Sequence, residues 1–459
     1  MGKQQMTTDE RMGAEKLGKL ILTMAMPAVA AQLINVLYNI VDRMYIGHIA
    51  GYGDLALTGV GVTFPIITII TAFSAFAGMG GAPLAAMMLG KKNYDEAEKI
   101  LGTCMALLLT FSVCLTTIFM VFKEPILYLF GASDHTVVYA NEYISIYLIG
   151  TVCVQLAVGL NTFISAQGNA KIAMLSVCIG AIINIILDPI LIFGFDMGVK
   201  GAAIATIISQ ACSATWVVRF LVSKKSVIRI RKCNIRLSKN IVTKVGALGV
   251  SPFIMSSTEG IVTIILNSSL QKYGGDIYVG SMSILLSVMQ LFIVPIQGLS
   301  GGIQPILSYN YGAGNRERVV ATCKRMFILC TTSSVIFGAT VMLIPHFFVS
   351  MFTKNIELLE VTTQIMPIFF LGTTIFGIQM ACQGTFLSLG QAKISLTIAL
   401  LRKIILLVPL ALILPRFLGV NGVYYAEPIA DILSVIIAST LFVCNIKKIL
   451  HKCDKSDKI

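Results

Sequence analysis

Charge is scarce in this chain. Only 12% of its residues are Asp, Glu, Lys or Arg, about half the share of an ordinary soluble domain. Histidine is scarcer still: His48, His135 and His346 lie near the ends of apolar runs and His451 lies near the C-terminus, which argues against an imidazole proton relay within the runs. Eleven cysteines form no Cys-x-x-Cys pair, so neither a disulfide framework nor a cysteine metal site is expected. No Gly-rich stretch ends in Gly-Lys-Ser/Thr, and Gly312-Ala313-Gly314 lacks the rest of a dinucleotide fingerprint; nucleotide hydrolysis of the P-loop kind is excluded. No nucleophile–base or metal constellation stands out, and no polar segment is long enough to house a reaction. An intramembrane enzyme is therefore disfavoured.

What is abundant is apolar sequence, 56% of the chain. It falls in runs of about 20 residues, the length that crosses a hydrocarbon core. Roughly twelve are legible, near 18–44, 55–82, 98–121, 138–164, 171–195, 199–222, 243–269, 278–305, 320–344, 359–387, 392–415 and 420–445. The expected fold is all-α, a polytopic membrane protein with twelve transmembrane helices. The polar start is followed by a full-length run, so the first span reads as an uncleaved anchor.

The net charge of +13 could suggest a nucleic-acid partner, but its distribution fits a membrane orientation better. With the N-terminus in the cytoplasm, the outer loops hold only Arg43, Lys123, Lys200, Lys272, Lys354 and Arg416 of the 35 basic residues, and Arg402 and Lys403 sit inside the eleventh span. The remainder face the cytoplasm, which places both termini there in a cell (inner or plasma) membrane. No nucleic acid is expected, since no aromatic platform accompanies the basic loops.

The chain also repeats itself at an offset of about 222. Pro83 and Gly90-Lys91-Lys92-Asn93 correspond to Pro305 and Gly312-Ala313-Gly314-Asn315. Gly168-Asn169-Ala170-Lys171 corresponds to Gly390-Gln391-Ala392-Lys393, and Gly198-Val199-Lys200-Gly201 to Gly419-Val420-Asn421-Gly422. Pro27 matches Pro252. Six spans per half, an even number, give a parallel repeat whose two pseudo-symmetric lobes share one orientation, an arrangement of alternating-access carriers. The expected division is an N-lobe at 1–222, a basic cytoplasmic linker at 223–242, a C-lobe at 243–445 and a cytoplasmic tail at 446–459.

Polar residues inside the spans line up by helical period. An Asp at a span's centre costs about 2.5–3.5 kcal/mol on insertion scales, so such groups normally face a cavity or a partner. Gln32, Asn35, Asn39 and Asp42 share one face of span one, and Asn184 and Asp188 lie one turn apart in span five. Ser256, Glu259, Thr263 and Asn267 form a stripe in span seven, and Gln290 and Gln297 extend one in span eight. Glu427 and Asp431 in span twelve are candidates to pair with Arg402 or Lys403. Helix-to-helix hydrogen bonding is the plain alternative for the hydroxyls and amides. A set of carboxylate, amide and hydroxyl oxygens suits either a hard cation such as Na⁺ or a proton, and the residues leave that choice open. Pro27 removes a backbone hydrogen bond inside span one and is a candidate hinge.

The chain resembles the multidrug and toxic compound extrusion (MATE) family, in its bacterial multidrug branch. The likeness rests on the duplicated layout, the stretch Pro27 to Gly47, the loop Gly168 to Lys171 with its repeat, and Asn184-Ile185-Ile186-Leu187-Asp188-Pro189 followed by the Gly-rich start of span six. The resemblance implies two lobes around a central cavity and efflux of small lipophilic cations in exchange for Na⁺ or H⁺, with no other cofactor. It assigns cation coupling, with Na⁺ as one possible occupant, to Asp42, Asn184, Asp188 and Thr206, and bending to Pro27. Gln32, Asn35, Asn39, Ser256, Glu259, Thr263, Asn267 and Gln290 are the candidates for the substrate cavity. Some branches carry an Asp in span ten; here there are only Gln364, Gln379 and Gln383, which favours the N-lobe for the coupling ion. A monomer is expected. Rival expectations are a flippase for lipid-linked precursors, whose anionic cargo would call for cavity cations, and a passive channel.

Overall fold

A computed structural model describes residues 8–455; the ends of the expected N-lobe (1–7) and tail (456–459) lie outside it. A short helix, α1 (Thr8–Ala14), precedes the first half: α2 (Leu17–Gly47), α3 (Gly53–Gly90), α4 (Tyr94–Leu129), α5 (Val137–Ile149), α6 (Thr151–Ala166), α7 (Ala170–Pro189) with a π-helical turn (Ile190–Gly194), and α8 (Gly198–Val222). The second half comprises α9 (Lys239–Tyr273), α10 (Asp276–Gly312), α11 (Arg316–Leu343), α12 (Pro345–Ser350), α13 (Ile356–Phe369), α14 (Phe376–Ser388), α15 (Ala392–Leu400) with a π-helical stretch (Leu401–Leu407), α16 (Val408–Ile413), α17 (Pro415–Leu418) and α18 (Val420–Lys455).

Among the described residues, ten helical segments are long and apolar enough to span a membrane, and α5 with α6, bent by 59°, makes an eleventh. The run at 359–387 falls on α13 and α14, two helices separated by a turn. Both fourth spans are thus broken where one continuous span was expected. The breaks are equivalent, at Gly150 and around Gly372, 222 residues apart. A side chain on Gly150 would strike Ile207 of α8, and one on Gly372 would strike Pro428 of α18. The close approach of the next packed helix explains both. A second difference is at the C-terminus, where α18 continues through Lys455 into the expected tail.

The repeated loop motifs carry the same geometry in both halves. Asn93 caps α4 by accepting from the Glu96 amide at 3.1 Å, and Asn315 caps α11 by accepting from the Arg318 amide at 3.0 Å. The residues before them, Lys92 and Gly314, are both left-handed, at φ 57° and 73°.

The core divides into clusters that differ at the two ends of the bundle. Toward the end bearing the termini, Leu20, Ile21 and Met24 of α2 pack with α10, α11 and α14, while Ile241 and Val245 of α9 pack with α3, α4 and α6. The first helix of each half therefore crosses into the other half. Toward the far end, one cluster is built only from residues 46–203 and the other only from residues 262–430. The halves interlock at the termini end and stand apart at the far end. α1 lies across the interlocked end. The Met12 carbonyl accepts from Asn310 Nδ2 and Arg318 Nε, both at 3.1 Å, and Arg318 Nη2 donates to the Glu15 carbonyl at 2.6 Å.

The basic stretch between the halves is docked. Buried Glu98 pairs with Arg231 at 2.6 Å, and Gln167 Oε1 accepts from the amides of Val227 and Ile228. Apolar side chains exposed on the outside, among them Val113, Val121, Ile336 and Ile436, give the bundle the apolar girdle of a bilayer-embedded protein.

Candidate functional site

Between the halves lies a cavity of about 500 Å³, lined from both of them. From α2 come Gln32, Asn35 and Tyr38; from α6 to α8, Asn161, Ser176, Gly180 and Gln210; from α9 and α10, Pro252, Met255, Ser256, Glu259 and Gln297. Among the described residues Glu259 is the one charged side chain on its wall.

Just past the N-half wall, along the same faces of α2 and α7, three of the expected coupling residues meet. Asp42 lies one turn beyond Tyr38, and Asn184 and Asp188 lie one and two turns beyond Gly180. Asn184 Nδ2 donates to Asp188 Oδ1 at 3.2 Å, and the Asp42 and Asp188 carboxyls are near enough to act on each other electrostatically. Asn184 and Asp188 are buried. The second oxygens tell the most: Asp42 Oδ1, Asn184 Oδ1 and Asp188 Oδ2 are buried without a hydrogen-bond partner. Buried polar atoms are normally satisfied. Three orphaned oxygens from two carboxyls and an amide fit a proton or a small hard cation, which would also relieve the repulsion between two adjacent carboxylates. Thr206, the fourth expected member, is buried on α8, and its hydroxyl is not among the orphaned oxygens.

The substrate-cavity candidates divide. Gln32, Asn35, Ser256 and Glu259 line the cavity; Asn39, Thr263, Asn267 and Gln290 do not. Asn39 turns back on its own helix, donating to the Asn35 carbonyl at 2.6 Å, and Thr263 does the same to the Glu259 carbonyl at 2.9 Å. Asn267 continues α9 past the cavity, and Gln290 is exposed on α10. Tyr38 takes the place expected for Asn39. The signal was present, since 32, 35, 38 and 42 keep the helical period as well as 32, 35, 39 and 42. Pro27 is buried within α2, which runs through it without a break.

The C-half holds ion pairs within its spans. Arg402 bridges Asp431 (2.6 Å) and Glu427 (2.9 Å) and lies over the Phe376 ring at 4.4 Å. Lys403 pairs with Glu259 at 3.1 Å and donates to the Met255 carbonyl at 3.2 Å. These consecutive residues reach two different helices, α18 and α9, from the π-helical stretch that contains both. Their internal pairing accounts for charges inside an apolar span. Among the described residues no group of three or more His, Cys, Asp or Glu side chains is arranged to hold a metal.

A twofold-repeated, membrane-embedded helical bundle with a cavity lined from both of its halves has the architecture of a membrane transporter. The MatE family model matches residues 27–190 and again 252–413, beginning at the equivalent prolines Pro27 and Pro252, and the chain belongs to that family of membrane transporters. Among relatives, the multidrug export protein MepA of Staphylococcus aureus (strain MSSA476) is 25% identical over 420 residues, covering 92% of each chain. A solved structure described as protein A is 34% identical, with a TM-score of 0.89 over 96% of this chain and 98% of that one. A crystal structure of MATE in the bent conformation has a TM-score of 0.91 at 22% identity, covering 98% of this chain and 100% of that one.

Proposed function

We propose that this chain is a cation-coupled antiporter that exports lipophilic, positively charged drug-like compounds from the cytoplasm in exchange for Na⁺ or H⁺. The supporting observation is the trio of orphaned buried oxygens on Asp42, Asn184 and Asp188, placed one to two turns past the N-half wall of a cavity whose single charged lining residue, Glu259 of the C-half, is acidic. The export function named for the MepA relative supports the same direction of transport.

The two bodies that move are 1–222 and 243–445, joined by the 223–242 linker, in a monomer spanning the cell membrane. The distribution of Lys and Arg supports cytoplasmic termini, so the interlocked end is cytoplasmic and the conformation described is open to the outside. In this state the cation enters at Asp42, Asn184 and Asp188. Its charge neutralises the pair, α2 shifts about Pro27, and the cargo on the adjoining wall is released outward. Return to the inward state frees the ion and admits new cargo. Coupling requires only that ion and cargo prefer different states. A flippase for anionic lipid-linked precursors would call for free cations at the cavity, whereas Arg402 and Lys403 are both held by carboxylates.

The test is ethidium efflux from proteoliposomes under a Na⁺ gradient and, separately, a pH gradient. Efflux under one of them names the ion. Efflux that equilibrates the dye equally with and without gradients would mark a passive channel, and absence of movement under either would move lipid-linked substrates to the front.

A further inference from the structure

We infer that Lys403 is a built-in counter-ion of Glu259 that a positively charged cargo displaces, so that the C-half wall of the cavity holds a subsite for one cationic group. This rests on the export of lipophilic cations proposed above and adds the residue that sets the charge preference. Glu259 faces the cavity with its side chain 63% exposed, while Lys403, behind it, is 11% exposed. The carboxylate is thus approachable from the cavity and held from the rear by one ammonium.

The two cations of the network are not equally fixed. Arg402 engages two carboxylates and an aromatic face. Lys403 has one ion pair and one carbonyl contact, and Glu427 lies within electrostatic range of it. A flexible ammonium with an alternative carboxylate close by can yield its partner; a forked guanidinium bridging two acids cannot do so without losing both. The charge balance points the same way. Glu259, Glu427 and Asp431 are three carboxylates against two cations, and Asp431 Oδ2 is buried with no partner. One added monovalent cation brings the cluster to neutrality, which a low-dielectric surrounding favours. An anion would enter a net-negative cluster and compete with a carboxylate tethered to α9. The cargo's cationic group therefore pairs with Glu259, Lys403 keeps the Met255 carbonyl and turns toward Glu427, and departure of the cargo lets Lys403 return. Lys403 acts as a competitor that keeps affinity low enough for release.

The experiment is equilibrium binding to the full-length protein in nanodiscs of neutral lipid, corrected for empty nanodiscs, with tetraphenylphosphonium and its anionic isostere tetraphenylborate. Wild type is expected to bind the cation and not the anion. Glu259→Gln is expected to weaken tetraphenylphosphonium binding about tenfold or more, and Lys403→Gln to strengthen it by about tenfold. In Glu259→Gln/Lys403→Gln that gain disappears, because the competitor acts only through Glu259. Lys403→Arg keeps the pair and the fold while tightening the hold on Glu259, so it is expected to bind the cation more weakly than wild type. This variant carries the test if the Gln variant fails to fold. Unchanged or weaker binding in a folded Lys403→Gln, or unchanged binding in Lys403→Arg, overturns the displaceable counter-ion while leaving export of cations standing. Wild type that binds no tetraphenylphosphonium overturns the export proposal itself and the subsite with it.

Discussion

Gly90 and Gly312 face each other across the axis that relates the two halves. A Cβ on Gly90 would strike the Tyr309 carbonyl oxygen, and one on Gly312 would strike the Met87 carbonyl oxygen. Each glycine thus presses on the residue three before the other. The contact joins the ends of α3 and α10 where the termini emerge. No side chain fits without parting the helices. Gly312→Val is expected to drive the population toward the conformation open at the termini end. Electron–electron distances between spin labels on the two halves at that end would lengthen relative to wild type. Unchanged distances in a folded variant would refute the closure.

α1 secures the same end through Arg318, which donates to two backbone carbonyls of the Met12–Glu15 stretch. Arg318→Ala removes both bonds and is expected to raise hydrogen exchange selectively in residues 8–16 and to speed opening at the termini end. Protection equal to wild type there would show that the Asn310 bond to the Met12 carbonyl and the packing of Met12 hold α1 without Arg318.

Arg402 is the keystone of the C-half cluster. Its removal as Arg402→Met leaves Glu427 and Asp431 buried without their ion-pair partner, a loss of about 3–5 kcal/mol where one partner of a buried pair is deleted. The apparent melting temperature should fall sharply and recover most of the way in Arg402→Met/Glu427→Gln/Asp431→Asn. A single variant as stable as wild type would show that the pairs are solvated.

Much of this was legible in the residues. The duplication could be read because its loops need particular residues: an Asn that caps a helix, a left-handed residue before it, and a glycine where backbones touch. Asn184 and Asp188 could be read because one face of one helix carries both. The broken fourth spans were not legible, since Gly150 yields to Ile207 of another helix, and such a contact leaves no mark on local periodicity. Nor could spacing separate Tyr38 from Asn39, as both lie within one step of the same helical face. The Lys403–Glu259 pair joins residues 144 apart in sequence, and Thr263 and Asn267 kept the helical stripe while passing beyond the cavity.

The four expected coupling residues divide by contact. Asn184 holds Asp188 and contributes an orphaned oxygen, whereas the Thr206 hydroxyl is not among the orphaned atoms. Asn184→Ala is expected to weaken the coupling ion by about tenfold to a hundredfold, the worth of a hydrogen bond to a charged group, and Thr206→Val by far less. Ion-dependence curves of efflux would separate the two, and equal shifts would place Thr206 among the direct ligands.

The most direct test is Asp188→Asn beside wild type in proteoliposomes, with ethidium efflux measured under the gradient that drives wild type and ethidium binding measured on the same preparations. Loss of gradient-driven efflux with ethidium binding retained is the result expected if Asp188 carries the coupling ion. Efflux that responds to the gradient as in wild type would contradict it.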